Sequence, residues 1–397
     1  MLTPEGQVLL LTARTALNAA QQQHLARLLS APLDWERLSR AAWGHGVAPL
    51  LHRHLRQQAL SELVPEPVRT SLERWAHATA FRNLKLLTEL RSFLLAGERA
   101  GLPVIVLKGA ALAEPVYGHL GLRPMVDVDL LVPQQALPLA ESVLEHLGYR
   151  PDFPHACSRR AWEHHYVHLA YRRPGAIGPV ELHWDLVPPY PRVPFQLNVA
   201  QIWPRTQVVT IVQMPAKVLA GEDLLLYLSL HHFHHGGETL LGFCDVAEVI
   251  RRWGDRLSWL TLVRRAKEAK AARVVGYTLW WVREYLGAPV PSEVIATLCP
   301  QATIIDCWRQ RLDGSPIPAA HLIGNPWARL GRQLLLLSGP VFRCCFVWQS
   351  LLPSASAFSR FHPLERSVWR YLYYLLRPTR LRSAGRYLGR LLGRHWG

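Results

Sequence analysis

The residues with the clearest chemical potential are two aspartates, Asp127 and Asp129, inside the apolar run MVDVDLLV. Side chains two residues apart along a strand project to the same face of a sheet. Both carboxylates are therefore expected on one side of a strand. The opposite side would carry Val126, Val128 and Leu130. Because isolated carboxylates are costly to bury unless they are paired or bound to a metal, the pair predicts a cation-binding position.

The type of ligand indicates which cation would bind. Oxygen ligands select hard cations, and Mg²⁺ typically takes one or two protein carboxylates while water and substrate phosphates complete its octahedron. Two such ions about 3.5–4 Å apart can activate a hydroxyl and stabilise the leaving oxygen of an in-line displacement. This chemistry is phosphoryl or nucleotidyl transfer. The alternative is an Asp-x-Asp pair in a solvated loop, and the apolar flanks argue against it.

A third carboxylate follows in the strand-like segment GPVELHWDL, where Glu181, His183 and Asp185 alternate onto one face. Glu181 is predicted to be the third metal ligand or the base, because it lies deepest in the apolar run. His183 is predicted either to contact a phosphate or orient Glu181, or to be an ordinary half-buried histidine. Asp185 is predicted to lie in a loop.

The segment PVIVLKG, ending in Lys108 and Gly109, predicts a short buried strand that leads into a turn and a short helix. A glycine lets backbone approach a ligand closely, and a helix N-terminus offers N–H groups to phosphate. The separation of 18 residues from Gly109 to Asp127 (127 − 109) suffices for one helix and a turn before an adjacent strand. Phosphates are therefore expected beside Lys108.

Hydrophobic periodicity predicts an α+β protein, in which a small mixed-sheet core is flanked by N- and C-terminal helical regions. Strands are predicted at 104–107, 126–132, around 166–171, at 180–186 and at 207–213, and a helix at 138–146. Pro215 marks the predicted end of the core. The predicted domains are an N-terminal helical region (1–100), the core (101–215), a helical domain (216–300) and a basic, helical C-terminal region (301–397).

The order of these motifs resembles the uncharacterised nucleotidyltransferase family of the polymerase-beta-type nucleotidyltransferase superfamily. The resemblance rests on Leu107-Lys108-Gly109, Leu112, Tyr117, Arg123, the run DVDLLV and VELHW, and extends to the segments 34–51 and 222–250. That superfamily is defined by a glycine-containing turn, an Asp-x-Asp pair and a third acidic residue on a neighbouring strand. This sequence departs from the pattern at Ala110, where serine or glycine is common, and at Glu181, where aspartate is frequent.

The resemblance implies a metal-dependent nucleotidyltransferase that moves a nucleoside monophosphate from an NTP, with ATP expected, to an acceptor hydroxyl and releases pyrophosphate. The implied metal ligands and catalytic residues are Asp127, Asp129 and Glu181, with two Mg²⁺ ions, and the implied phosphate-binding residues are Lys108, Gly109, Arg123 and His183. The lysine would act as a point charge and the arginine through its fork geometry.

The acceptor stays open: a small molecule such as a sugar, antibiotic or peptide natural product, a tRNA, or a protein side chain. Two alternatives to this function also stay open. One is a toxin-like nucleotidyltransferase that modifies tRNA, and the other is a non-catalytic protein that binds nucleotide or RNA on the same fold. Three converging carboxylates favour catalysis, because a binding module has no need of them.

In the segment HHFHH, His231 and His235 lie one helical turn apart, a spacing that can place two ligands on one helix face. A zinc site would need a third ligand such as Asp245, and no HExxH order is present. The alternative is histidines that cap the helix or line the active site. If functional, the two are predicted to line the nucleotide or acceptor cleft.

The net charge of +16 is concentrated near the C-terminus, since residues 327–397 contain twelve arginines and one acid, Glu365. Such a region can bind RNA, a membrane surface or an acidic partner. The leucine and aromatic spacing of RSVWRYLYYLLRP favours instead an amphipathic helix packed on the core.

The length of 397 residues, of which 49% are hydrophobic, suggests two or three domains. The six cysteines show no CxxC spacing, which indicates free thiols in a reducing compartment. The N-terminus lacks the basic region of a signal peptide. The apolar stretch 334–352 is broken by Gly339, Pro340 and Arg343, so no transmembrane span is expected. A cytoplasmic location is therefore predicted.

Overall fold

The computed structural model describes residues 2–152, 166–187, 195–237 and 239–300, together with residues 330, 333, 334, 336 and 337. Within these ranges the chain forms one seven-stranded mixed sheet with helices before and after it. The predicted α+β class is confirmed.

Six helices precede the sheet: α1 (Pro4–Thr12), α2 (Ala19–Leu29), α3 (Trp35–Gly44), α4 (Ala48–Leu55), α5 (Gln58–Ser61) and α6 (Glu66–Arg99). Side chains at the N-caps fix where several of them begin. The Thr3 hydroxyl accepts from the N–H of Gly6, and Asn18 forms a reciprocal capping box with Gln21. Such caps satisfy N–H groups that have no partner within the helix.

Helix α6 joins the N-terminal helices to the sheet. Its 34 residues span about 51 Å at 1.5 Å per residue. Leu86, Leu87, Leu90 and Phe93 recur at helical spacing on its C-terminal half and are fully buried in the core of the sheet. The site loops rest against this half of the helix.

The sheet contains β1 (Ile105–Val106), β2 (Val128–Leu131), β3 (Arg150–Pro151), β4 (His168–Arg172), β5 (Val180–His183), β6 (Gln207–Ile211) and β7 (Met214–Val218), in the order β3-β4-β5-β2-β1-β7-β6. Strand β2 pairs in parallel with β5 and antiparallel with β1, and β1 pairs in parallel with β7. The other neighbours, β3–β4, β4–β5 and β6–β7, are antiparallel. Between the strands, the described residues form three short helices: α7 (Lys108–Ala113), α8 (Leu137–His146) and α9 (Val199–Ile202).

The sheet differs from the predicted strands in several places, and β3 was not predicted. Pro215 lies inside β7, so the sheet continues past the predicted core boundary to Val218. Strand β2 begins only at Val128, where its pairing with β5 begins, and Val126 before it is 64% exposed instead of facing the core. Strand β5 ends at His183, and Asp185 lies in the loop after it, as predicted.

The helices after the sheet are α10 (Gly221–His234), α11 (Leu240–Trp253), α12 (Trp259–Glu268), α13 (Ala272–Leu286) and α14 (Ser292–Leu298). They share one hydrophobic core with α1–α4, to which β1 and β2 contribute Ile105 and Leu131. A second core lies between the sheet and helices α6 and α8. The predicted basic helix near residues 366–378 lies outside the described residues. Gln333, which is described, donates to the carbonyls of Phe233 and His234 at the end of α10.

Among the described residues, no helix is both long enough and apolar enough to cross a membrane.

Candidate active site

Three neighbouring strands bring the candidate side chains to one face of the sheet. The parallel pairing of β2 with β5 places Asp129 opposite Glu181. The antiparallel pairing of β4 with β5 places His168 opposite His183, which lies two residues after Glu181. Directly paired residues on adjacent strands share a face of the sheet, and so do residues two apart along one strand. The four side chains, those of Asp129, Glu181, His183 and His168, therefore converge on one face.

The three predicted carboxylates form a cluster. One oxygen from each of Asp127, Asp129 and Glu181 lies within 4.8 Å of those of the other two. Asp129 is 2% exposed and Glu181 is 21% exposed, so Asp129, and not Glu181, is the deepest of the three. The cluster therefore has a buried end at Asp129 and a reachable end at Glu181.

Lys108 is the cation at the buried end. Its Nζ lies 2.7 Å from Asp129 Oδ1. Burial alone would lower the pKa of Lys108, but the charge of Asp129 outweighs burial and raises it. Lys108 begins α7 with a φ of 35°, a left-handed conformation that non-glycine residues rarely adopt. The backbone is thus held in an unfavourable conformation at the residue that carries the charge.

His183 is the second partner of Asp129, since its Nε2 lies 3.0 Å from the same Oδ1. Burial would raise the pKa of Asp129, but Lys108 and His183 hold it well below its usual range. Burial would lower the pKa of His183, but its contact with Asp129 raises it. Burial would also raise the pKa of Glu181, but His183 and His168 lower it, and the net shift is downward.

Asp127 has the opposite character. Burial, together with the negative charge of Asp129, raises the pKa of Asp127 to about 7. Three carboxylates face Lys108 and His183 here, so at least one negative charge of the cluster stays poorly compensated. An all-oxygen donor set with excess negative charge fits a hard divalent cation such as Mg²⁺. The residues present thus fit the expected metal.

Buried polar contacts and one close glycine fix the loop that carries Asp127. Asn83 on α6 is fully buried, and its amide donates to the carbonyls of Leu120 and Arg123. Its oxygen accepts from the N–H of Met125. Gly178 lies so close to this loop that a Cβ there would come within 2.4 Å of the Val126 carbonyl oxygen. Asp127 is therefore positioned from both sides.

Arg123 has a partner other than the predicted phosphate. Its Nε and Nη2 donate to the two carboxylate oxygens of Asp245 on α11, at 2.9 and 2.7 Å. The Tyr117 hydroxyl donates to the same carboxylate at 2.7 Å. Burial would lower the pKa of Arg123, but Asp245 raises it. The guanidinium fork is thus engaged in joining the sheet loop to the C-terminal helices, and Gly109 packs against it, since a Cβ there would lie 3.0 Å from Nη1.

His231 and His235 lie at the end of α10 with ring centroids 4.4 Å apart. Burial and the nearby charge of Lys108 lower the pKa of His231 well below its usual range. Burial raises the pKa of Tyr227, one turn earlier, and the charge of Lys108 partly opposes this rise. The ligand predicted to complete a zinc site, Asp245, is bound to Arg123, and neither histidine belongs to a metal-type cluster among the described residues.

The sequence did not indicate the roles of three residues at the site: His168, Asn83 and Asp245. His168 lies on a strand that was predicted, but its place beside Glu181 follows from the order of the strands. The partner of Arg123 lies 122 residues away in sequence. Asn83 lies at helical spacing from Leu86, Leu87 and Leu90, and a polar residue on an apolar stripe was the available signal, because asparagine is seldom buried without partners.

A mixed sheet that gathers an Asp-x-Asp pair and a third carboxylate on adjacent strands is the arrangement of a nucleotidyltransferase-type fold. The family model described as "Uncharacterised nucleotidyltransferase" matches residues 31–287, and the chain belongs to this family. The match includes every candidate site residue named above. No curated protein and no solved structure matches the chain significantly.

Proposed function

We propose that this protein is a metal-dependent nucleotidyltransferase that moves a nucleoside monophosphate from an NTP to an acceptor hydroxyl. The observation that carries the proposal is the convergence of three carboxylates around a single lysine. Such excess negative charge in a buried place disfavours folding and is retained where a cation and phosphates bind. Membership of a nucleotidyltransferase family supports the same class of reaction.

Asp127, Asp129 and Glu181 would hold Mg²⁺, with two ions expected. The chemistry supplied by bound Mg²⁺ is polarisation of phosphate oxygens and of an attacking hydroxyl. Glu181 is the carboxylate that accepts the proton of the acceptor, because it is the reachable end of the cluster and its lowered pKa keeps it ionised. Asp129 holds the buried end in place through Lys108 and His183.

Lys108 is the phosphate-binding residue of this proposal. Its ammonium is a flexible point charge that can turn from Asp129 towards a triphosphate once divalent cations compensate the carboxylates. His183 keeps Asp129 oriented during that change. Arg123 acts from a distance by fixing the loop between α7 and β2, because its fork is held by Asp245.

ATP is the expected nucleotide, and the acceptor is a hydroxyl of a small molecule, a tRNA or a protein. The charge of Lys108 acts on the pKa of both His231 and Tyr227, which supports α10 as the element that contacts the nucleotide or acceptor. Transfer to tRNA and transfer to a small molecule use the same cluster and differ only in the acceptor.

A direct test uses the full chain with each of the four NTPs labelled at the α-phosphate, Mg²⁺ and a cell extract. We expect label to appear in one macromolecule or metabolite, with matching pyrophosphate release. Asp129→Asn should abolish both signals. Asp152→Asn is the matched control, since Asp152 forms an exposed ion pair with Arg172 at the sheet edge. Equal labelling by wild type and Asp129→Asn would refute the proposal.

The ion pair between Lys108 and Asp129 supports a second candidate, nucleotide binding without transfer. If Lys108 stays on Asp129, it occupies the position of a divalent cation. The site could then bind a nucleotide, but with fewer positive charges. In that case the labelled NTP would bind without Mg²⁺ and no pyrophosphate would be released. The labelling experiment separates the two candidates.

A further inference from the structure

A second cluster of metal-type ligands lies beside the acidic one. One ligand atom from each of His168, Glu181 and His183 lies within 4.8 Å of those of the other two. The three side chains share a sheet face because His168 pairs directly with His183 across β4 and β5, and Glu181 precedes His183 by two residues. Two imidazoles and one carboxylate therefore meet where the sequence predicted only oxygen ligands.

Two of the three distances within this cluster suit ligands around an ion. The Nε2 atoms of both histidines lie 3.6 Å from the same oxygen, Glu181 Oε2. A separation of 3.6 Å is too long for a hydrogen bond. Ligand atoms bound tetrahedrally at 2.0–2.1 Å lie about 3.4 Å from one another, which is close to the observed spacing.

The donor set also indicates which kind of ion would bind. Imidazole nitrogens suit borderline transition metals, whereas Mg²⁺ takes oxygen ligands. The side chain of His168 is 33% exposed, and Glu181 is also reachable from solvent, so a fourth position faces solvent. Three protein ligands with one open position are typical of zinc sites that bind water or substrate.

An ion at this point would change the contacts of His183 and Asp129. His183 Nε2 now contacts Asp129 Oδ1, and Lys108 Nζ contacts the same oxygen at 2.7 Å. If His183 presents Nε2 to a metal, its proton moves to Nδ1, a buried atom with no hydrogen-bond partner among the described residues. Before a nucleotide binds, Asp129 keeps Lys108 as its partner. The buried carboxylate is therefore not left without a compensating charge.

We propose that His168, Glu181 and His183 form a binding site for a borderline divalent transition metal such as Zn²⁺, next to the Mg²⁺-type carboxylate cluster. The site shares Glu181 with the proposed function, but metal binding in the absence of nucleotide tests it independently.

The test uses untagged full-length protein, stripped of metal and titrated with Co²⁺, whose visible absorption reports nitrogen and oxygen ligands in a tetrahedral site. Wild type should bind one equivalent with this spectrum, and Zn²⁺ should displace it. His168→Ala and Glu181→Gln should each weaken Co²⁺ binding at least about tenfold. Circular dichroism checks that both variants fold, and Glu181→Gln keeps the side-chain shape if His168→Ala does not fold.

Two control variants show whether other histidines bind the probe. His146→Ala removes an exposed histidine at the end of α8 and should leave the Co²⁺ spectrum unchanged. His235→Ala, in the pair on α10, should also leave it unchanged. Absence of a tetrahedral Co²⁺ spectrum in wild type, its retention by both site variants, or its loss in His235→Ala would overturn the proposal.

The same variants separate this proposal from the proposed function. Asp127→Asn should lose Mg²⁺-dependent nucleotide binding and keep the Co²⁺ spectrum. If wild type binds nucleotide with Mg²⁺ but gives no Co²⁺ spectrum, the transition-metal site is refuted and the proposed function stands. If the Co²⁺ spectrum appears but no Mg²⁺-dependent nucleotide binding is found, the reverse holds.

Discussion

Two buried ionic clusters lie close together in this protein and differ in how their charges are compensated. In one, Asp245 receives a two-point ion pair from Arg123 and a hydrogen bond from Tyr117. In the other, three carboxylates share Lys108. The first is balanced and joins the sheet loop to α11. The second carries excess negative charge, which a protein retains where it binds cations.

The difference teaches how a functional cluster can be told from a structural one when both are buried. A pair that exists for stability has matched charges and complete hydrogen bonds. A site that binds charged ligands is incomplete without them, so its charges repel one another in their absence. Four variants, taken from the largest expected effect to the smallest, test whether the two clusters differ in this way.

Asp245→Asn should destabilise the protein by about 4 kcal/mol, because it leaves the largely buried Arg123 without its compensating charge. The free energy of unfolding from urea denaturation measures this. Asp152→Asn, which removes one partner of an exposed ion pair, should cost less than about 1 kcal/mol. Equal small effects of the two variants would show that the Arg123 cluster does not hold the helices to the sheet.

Lys108→Met should destabilise the metal-free protein by about 3 kcal/mol, because Asp129 then stays buried with only His183 beside it. Methionine keeps a side chain of similar length on the same left-handed backbone. Added Mg²⁺ should restore part of the loss, which thermal melts with and without the ion would detect. Lys217→Met on β7 is the exposed control and should melt like wild type. A loss that Mg²⁺ cannot reduce would contradict cation binding at Asp129.

Gly178→Ala should destabilise the protein by about 2 kcal/mol, since the new methyl group would overlap the Val126 carbonyl and force the loop to move. The displaced loop carries Asp127, so Mg²⁺ affinity measured by calorimetry should fall as well. Gly254→Ala adds a methyl group where nothing lies within 4 Å and serves as the control. Unchanged Mg²⁺ affinity in Gly178→Ala would show that Asp127 is not positioned by this contact.

Asp127→Asn should stabilise the metal-free protein by about 1 kcal/mol, because it removes a negative charge that faces two other carboxylates. The sign is opposite to that expected for Asp245→Asn. In saturating Mg²⁺ the wild type should instead be more stable than Asp127→Asn, since an ion that binds only the folded wild type raises its stability. Urea denaturation in EDTA and in Mg²⁺ measures both. Destabilisation in EDTA would mean that the carboxylate cluster is balanced without a metal.

Local sequence pattern and the family resemblance together predicted the carboxylate cluster. Alternation placed Glu181 and His183 on one strand face, whereas the neighbouring position of their strand came from the resemblance. The pattern overestimated the strands at Val126 and at residues 184–186, because a strand persists only where it has a partner, and the pairing of β2 with β5 runs from Val128 to Leu131 and from Val180 to His183.

Interactions between distant segments could not be predicted in the same way. Arg123 has the fork that suits either a phosphate or a carboxylate, and only the packing of α11 against the site loop decides for Asp245. Pro215 was predicted to end the core, and proline cannot donate to a sheet ladder. It is tolerated in β7 because β7 pairs with β1 only at Val218, so that Pro215 lies on an edge.

The most direct measurement of the central claim is isothermal titration of wild type and of Asp127→Asn/Asp129→Asn with ATP, GTP, CTP and UTP, each with and without Mg²⁺. The account predicts that wild type binds at least one nucleotide, ATP foremost, only when Mg²⁺ is present, and that the double variant does not. Binding of equal strength by both proteins, or no Mg²⁺-dependent binding by wild type, would contradict it.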